Sequence, residues 1–124
     1  MLYFETTGYK YSQRRCEDIV IWFIGEYLPR HKLDITINHR GLLREGVFGW
    51  CSAEGGCRPR EFEIELDNRL KGDDLLTAIF HEVTHCVQDL RGQKGGWELP
   101  YEERPFEIEA YAMQEEILEK WKKR

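Results

Sequence analysis

Long apolar stretches are scarce in this chain, and their scarcity excludes a membrane-spanning helix. The longest run, residues 19–25, holds seven residues, whereas a transmembrane helix needs roughly 20. Residues 1–15 are polar and aromatic and carry no apolar secretory core, so the expected compartment is the cytoplasm. Cysteines are few and wrongly spaced for a zinc knuckle. Cys16, Cys51, Cys57 and Cys86 form no C-x₂₋₄-C pair, because five residues separate Cys51 from Cys57. Those two could pair in an oxidising setting, which a reducing cytosol disfavours. An excess of positive charge is missing too. The formal net charge is −5 with both signs scattered, which argues against a nucleic-acid binder. The basic residues 120–124 read as a helix C-terminus matched to its dipole. No repeat or low-complexity linker interrupts the 124 residues, so residues 1–124 are expected to form one domain.

What is present is a patterned, aromatic-rich chain. Hydrophobic residues make up 41% and aromatics 13%, enough for a packed core. Residues 12–27 carry Cys16, Ile19, Val20, Phe23, Ile24 and Tyr27 on one broad face, and the spacing predicts a helix stopped by Pro29. Leu33-Asp34-Ile35-Thr36-Ile37 alternates with period two and predicts a strand. Residues 46–51 give a second strand, a turn follows over residues 52–56, and Glu61-Phe62-Glu63-Ile64-Glu65-Leu66 gives a third strand that pairs with the second as a hairpin. Leu2 to Phe4 is a short strand or packed arm. The glutamates at 61, 63 and 65 read as the solvated side of a half-buried strand rather than an acidic binding ledge.

Asp73 and Asp74 can cap the start of a second helix, in which Leu76, Ile79, Val83, Cys86 and Leu90 recur at helical spacing before Gly92 ends it. Cys86 falls on this core face as a small hydrophobe. Gly95-Gly96, Trp97, Pro100 and Tyr101 mark a loop, in which Trp97 and Tyr101 could form a lid. Pro105 then opens a last helix with the apolar stripe Phe106, Ala110, Met113, Ile117 and Trp121. The order predicts an α+β domain: an N-terminal helix, a small sheet of three to four strands, and two further helices.

The second helix carries His81-Glu82-Val83-Thr84-His85. Histidines four apart share one helical face, with Cβ atoms roughly 5–6 Å apart, so both imidazoles reach one Zn²⁺ at about 2.0–2.1 Å. They project nearly opposite the apolar stripe, with Ala78 and Gln88 nearby. Glu82 can hold a water at that metal and take its proton. A catalytic zinc needs a third protein ligand. A downstream carboxylate, an upstream cysteine, or His31 and His39 could supply it. Glu109 lies three residues after Phe106 and four before Met113, on the stripe facing the core, while Glu107 aligns with Tyr111, Gln114 and Leu118 at the flank. A ligand points inward, so the helical face selects Glu109. Gln88 shares the metal face and could support the histidines.

His81-Glu82-Val83-Thr84-His85 followed by Glu109-Ala110 resembles the gluzincin arrangement of thermolysin-like zinc metallopeptidases. Pro105-Phe106-Glu107-Ile108-Glu109-Ala110, with Gly49-Trp50-Cys51, is also similar to small uncharacterised metallopeptidase-like proteins encoded by phages. The resemblance spans about residues 46–113. It implies a minimal zincin-like domain, with zinc held by His81, His85 and Glu109 and Glu82 as general base. It further implies that the strand at residues 46–51 is a rim on which an extended peptide substrate pairs. An acidic residue four after the ligand glutamate is frequent in that clan, and Met113 stands there. Tyr101 and Tyr111 are both candidates for stabilising the transition state. A deformylase-like amide hydrolase with Cys51 as third ligand is an alternative chemistry, and a catalytically silent zinc-holding binding module is an alternative of another class.

Overall fold

Alternation of apolar and polar residues builds the sheet. In the computed structural model, which describes residues 2–8, 13–42, 49–54, 61–92 and 95–124, strand β2 (Leu33–Arg40) buries Leu33, Ile35, Ile37 and His39 on one face. Strand β4 (Glu61–Asp67) buries Phe62, Ile64 and Leu66 on the same side. With β1 (Leu2–Thr7) and β3 (Gly49–Glu54) they form a four-stranded sheet in the order β1-β2-β4-β3. β2 runs parallel to both β1 and β4, and β3 runs antiparallel to β4 at an edge. The N-terminal arm is thus a full strand. The expected hairpin of the second and third strands is present, although β3 continues to Glu54 where a turn was expected from residue 52. Residues 46–48 of that expected strand, together with Ser12 and Cys57, lie outside the described residues.

Parallel neighbours require a crossover, and α1 (Gln13–Tyr27) supplies it between β1 and β2. Its Cys16, Ile19, Val20, Phe23 and Ile24 join the core with the inward residues of β2 and β4. The opposite sheet face is polar. Asn38 accepts from Thr7 Oγ1 at 2.6 Å and donates to Glu63 Oε1 at 2.9 Å, and Arg40 pairs with Glu65. This ladder accounts for Glu63 and Glu65 as the solvated side of a one-sided sheet.

After β4 the buried carboxylate of Asp67 accepts from the Arg69 backbone N–H at 3.0 Å and from its guanidinium at 2.6 Å. Those hydrogen bonds hold its carboxyl below the ordinary value. The chain then enters α2 (Gly72–Leu90). Its cap position is Lys71, so Asp73 and Asp74 do not cap the helix; they sit in its first turn, where the dipole favours negative charge. Gly92, at φ +66°, ends it with its N–H on the Asp89 carbonyl.

α2 is buried on more than one face. Ile79 through Gln88 are all buried, because the sheet and α1 cover one side while α3 (Pro105–Lys123) covers the other. Pro105 occupies the first turn of α3, as its fixed φ favours. Phe80 joins the three helices: its ring lies 5.9 Å from Trp22, 6.5 Å from Phe23 and 6.3 Å from Trp121. Phe80→Ala is therefore expected to destabilise the fold by about 3–5 kcal/mol, read as a lower denaturation midpoint with an unchanged slope. No helix among the described residues is long and apolar enough to cross a membrane.

Candidate metal centre

One turn of α2 brings His81 and His85 together, with ring centroids 4.9 Å apart and planes at 89°. Both side chains are buried, and each rests on a glutamine. His81 Nδ1 lies 2.8 Å from Gln114 Oε1 on α3, and His85 Nδ1 lies 2.7 Å from Gln88 Oε1 on its own helix. The Gln88 amide is oriented by its other end, where Nε2 donates to the Phe106 carbonyl at 2.8 Å and to Glu109 Oε1 at 2.9 Å. An amide oxygen only accepts. Each Nδ1 therefore carries the proton, and in the neutral ring each Nε2 keeps its lone pair.

Those two nitrogens face one carboxylate oxygen. Glu107 Oε1 lies 3.3 Å from His81 Nε2 and 2.6 Å from His85 Nε2. Two imidazole lone pairs and a carboxylate at this range repel one another unless positive charge sits among them. Burial opposes charging His81, yet the hydrogen bond to Glu107, the nearby Glu82 and Gln114 together raise its pKa. Burial also works against a charged Glu107, but contacts with His81 and His85 and a hydrogen bond from Tyr101 hold its carboxyl well below the usual range. Ligand atoms about 2.0–2.1 Å from a tetrahedral zinc stand roughly 3.3 Å apart. The His81–Glu107 separation matches that figure, and the His85–Glu107 contact would open by several tenths of an ångström.

Glu82 completes the cluster. Its Oε1 lies 3.9 Å from His85 Nε2. Among the described residues, ligand atoms of His81, Glu82 and His85 come within 4.8 Å of one another, and Glu107 Oε1 is nearer to both imidazoles than Glu82 is to His85. Glu82 and His81 open onto a cleft of about 650 Å³ whose other walls include Gly49, Tyr101, Tyr111 and Gln114. The size suits a ligand site. At Gly49 a Cβ would come within 2.8 Å of the Glu65 carbonyl and of Leu66 Cδ2, and 3.5 Å from Glu82 Cγ. Glycine thus lets the rim strand pass close to the carboxylate.

The sequence reading expected Glu109 on the inward face, and the structure places Glu107 there instead. Glu109 is exposed and accepts from Gln88, whereas Glu107 is buried against the histidines. The reason is geometric. At roughly 100° per residue, the stripe of Phe106, Ala110, Ile117 and Trp121 centres about 30° past Phe106. Glu107 is then about 70° from its centre and Glu109 about 90° on the other side. The stripe alone hardly separates them, and α2 lies on the Glu107 side. Gln114 was missed as a histidine partner. Its signal was the polar row Glu107, Tyr111 and Gln114 along one flank of α3.

The remaining candidates do not converge on the histidines. Cys51 Sγ lies 3.7 Å from Cys86 Sγ on the core side of α2, where burial pushes the Cys86 thiol up. His39 is buried with its Nε2 4.0 Å from Cys16 Sγ, and His31 is exposed. Tyr101 and Tyr111 do meet at the cleft, their hydroxyls 3.3 Å apart, with the Tyr111 ring 4.6 Å from His81. Burial and the hydrogen bond to Glu107 push the Tyr101 hydroxyl far above its ordinary pKa, so it stays a donor. Trp97 packs 4.8 Å from Phe106, over the start of α3, and is not part of the cleft wall. No known protein family, curated protein or solved structure matches the chain.

Proposed function

We propose that this protein is a zinc-dependent peptide hydrolase of zincin-like build, with His81, His85 and Glu107 as ligands and Glu82 as general base. The observation that carries the reading is the convergence of the His81 and His85 Nε2 atoms on the Glu107 carboxylate beside a buried Glu82. Two nitrogens and one oxygen are a donor set that would suit zinc and would supply three of its protein ligands. Held there, zinc would supply Lewis-acid polarisation of the scissile carbonyl and would lower the pKa of a water towards about 7.

The chain's own residues do the rest. Glu82 orients the attacking water, takes its proton and returns it to the leaving amine. Tyr101 and Tyr111 line the same cleft, and Tyr111 is the candidate hydroxyl donor to substrate, since Tyr101 donates to Glu107. Edge strand β3, with Gly49 in the cleft, gives an extended peptide a backbone to pair with. The deformylase-like alternative loses its sulfur ligand, since Cys51 lies against Cys86. A silent zinc-holding module has no need of a carboxylate buried beside the histidines.

The test is metal analysis followed by digestion of a peptide mixture, read by mass spectrometry. The purified chain is expected to bind one zinc per molecule and to cut peptides. Chelation should stop cleavage and added zinc should restore it. Failure to take up stoichiometric metal would overturn the assignment.

A further inference from the structure

We infer that Gln88 is the positioning residue of the metal centre, a single amide that presets His85 and latches the ligand-bearing end of α3 to α2. The inference rests on the zinc reading above and deepens it. Gln88 is 1% exposed, and its polar atoms are all engaged. Oε1 faces His85 Nδ1 at 2.7 Å, and Nε2 donates to the Phe106 carbonyl at 2.8 Å and to Glu109 Oε1 at 2.9 Å.

Each contact has a distinct consequence. The oxygen fixes the His85 ring with Nδ1 protonated, which leaves Nε2 as the only nitrogen able to bind a metal. The nitrogen grips the peptide unit that joins Phe106 to Glu107, so the carboxylate is delivered to the same point. Glu109 braces the amide from outside and keeps its nitrogen end turned to α3, so the oxygen cannot rotate away from His85. Both ligand arms therefore depend on one side chain. His81 rests instead on Gln114 of α3 itself, whose amide nitrogen bonds outward to exposed Glu115 at 3.3 Å. The His81 side is tied to α3 through the imidazole itself, whereas on the His85 side the glutamine grips the α3 backbone next to Glu107.

The experiment compares wild type with Gln88→Met and Gln88→Glu. Methionine keeps the length and removes both hydrogen-bonding functions. Glutamate keeps an acceptor for His85 Nδ1–H but places a carboxylate against the Phe106 carbonyl and Glu109. Zinc affinity is measured by competition with a chromophoric chelator, and the His85 Nδ1–H by ¹⁵N-edited NMR of the zinc-loaded proteins. Loss of such an outer partner typically weakens metal binding about 10–100-fold, and Gln88→Met is expected to fall in that range and to lose the protected Nδ1–H signal. Gln88→Glu should recover the signal while binding zinc more weakly than wild type, and it decides the matter if the methionine variant does not fold. Affinity within twofold of wild type in a folded variant, or an unchanged Nδ1–H signal in Gln88→Met, would overturn the inference while leaving the zinc assignment standing. Wild type that binds no zinc would remove the zinc assignment itself.

Discussion

Glu107→Ala is expected to lose tight zinc binding, and Glu109→Ala is expected to keep it. The two residues sit one helical step either side of Ile108, yet they face different partners. Glu107 is 4% exposed and its carboxylate meets both imidazole Nε2 atoms. Glu109 is exposed and reaches the site only through the Gln88 amide. Removing an outer partner typically costs about 10–100-fold in metal affinity, so removing a ligand should cost more than about a hundredfold. Glu109→Ala strips one of two acceptors from Gln88 and should stay within about tenfold of wild type. Chelator competition on both variants, alongside their melting curves, separates lost ligation from lost folding. Tight binding in Glu107→Ala with loss in Glu109→Ala would return the third position to Glu109.

The second large effect is expected at Glu82. Glu82→Gln keeps the side chain's size and its place beside the histidines but removes its ability to accept a proton. General-base assistance is worth typically 10²–10⁴-fold, so peptide cleavage should fall by about that factor while zinc content and melting temperature stay near wild type. The result also discriminates between an enzyme and a metal-holding module, because only an enzyme depends on this proton acceptor. Equal turnover in the variant would end the general-base role.

Much of the fold is legible in the sequence, and what is not has identifiable physical causes. Period-two alternation is strong in Leu33–Arg40 and Glu61–Asp67 because the sheet is covered on one face only. The same pattern places Glu63 and Glu65 correctly on the solvated side. β1 was legible only as a short strand or packed arm at residues 2–4, since its pairing with β2 is a long-range parallel contact that no local pattern encodes. The turn expected from residue 52 failed because cross-strand pairing with β4 extends β3 to Glu54.

In the site, His81, Glu82 and His85 are placed together by helix geometry alone. Choosing between Glu107 and Glu109 needs the rotation of α3 about its axis, which is set by the helix it packs against. An apolar stripe whose centre is nearly equidistant from both residues does not contain that information. The helical wheel of α2 also misled in one respect. It suggested a core face and a free histidine face, whereas α3 covers the histidines and makes the motif an interior feature. Gln114 gains its role only from that docking, whereas Gln88, legible within α2 as a support for the histidines, gains from it only its grip on Phe106 and Glu109.

The division of ligands between two helices has a consequence for biosynthesis. The imidazole pair emerges from the ribosome 22 residues before Glu107 (107 − 85), and at the usual 5–20 residues per second that gap lasts about one to four seconds. Until α3 follows and folds back onto α2, the nascent chain holds the two histidines without the Glu107 carboxylate that meets them in the folded protein. On the proposed reading, assembly of all three ligands therefore waits for α3 to dock onto α2.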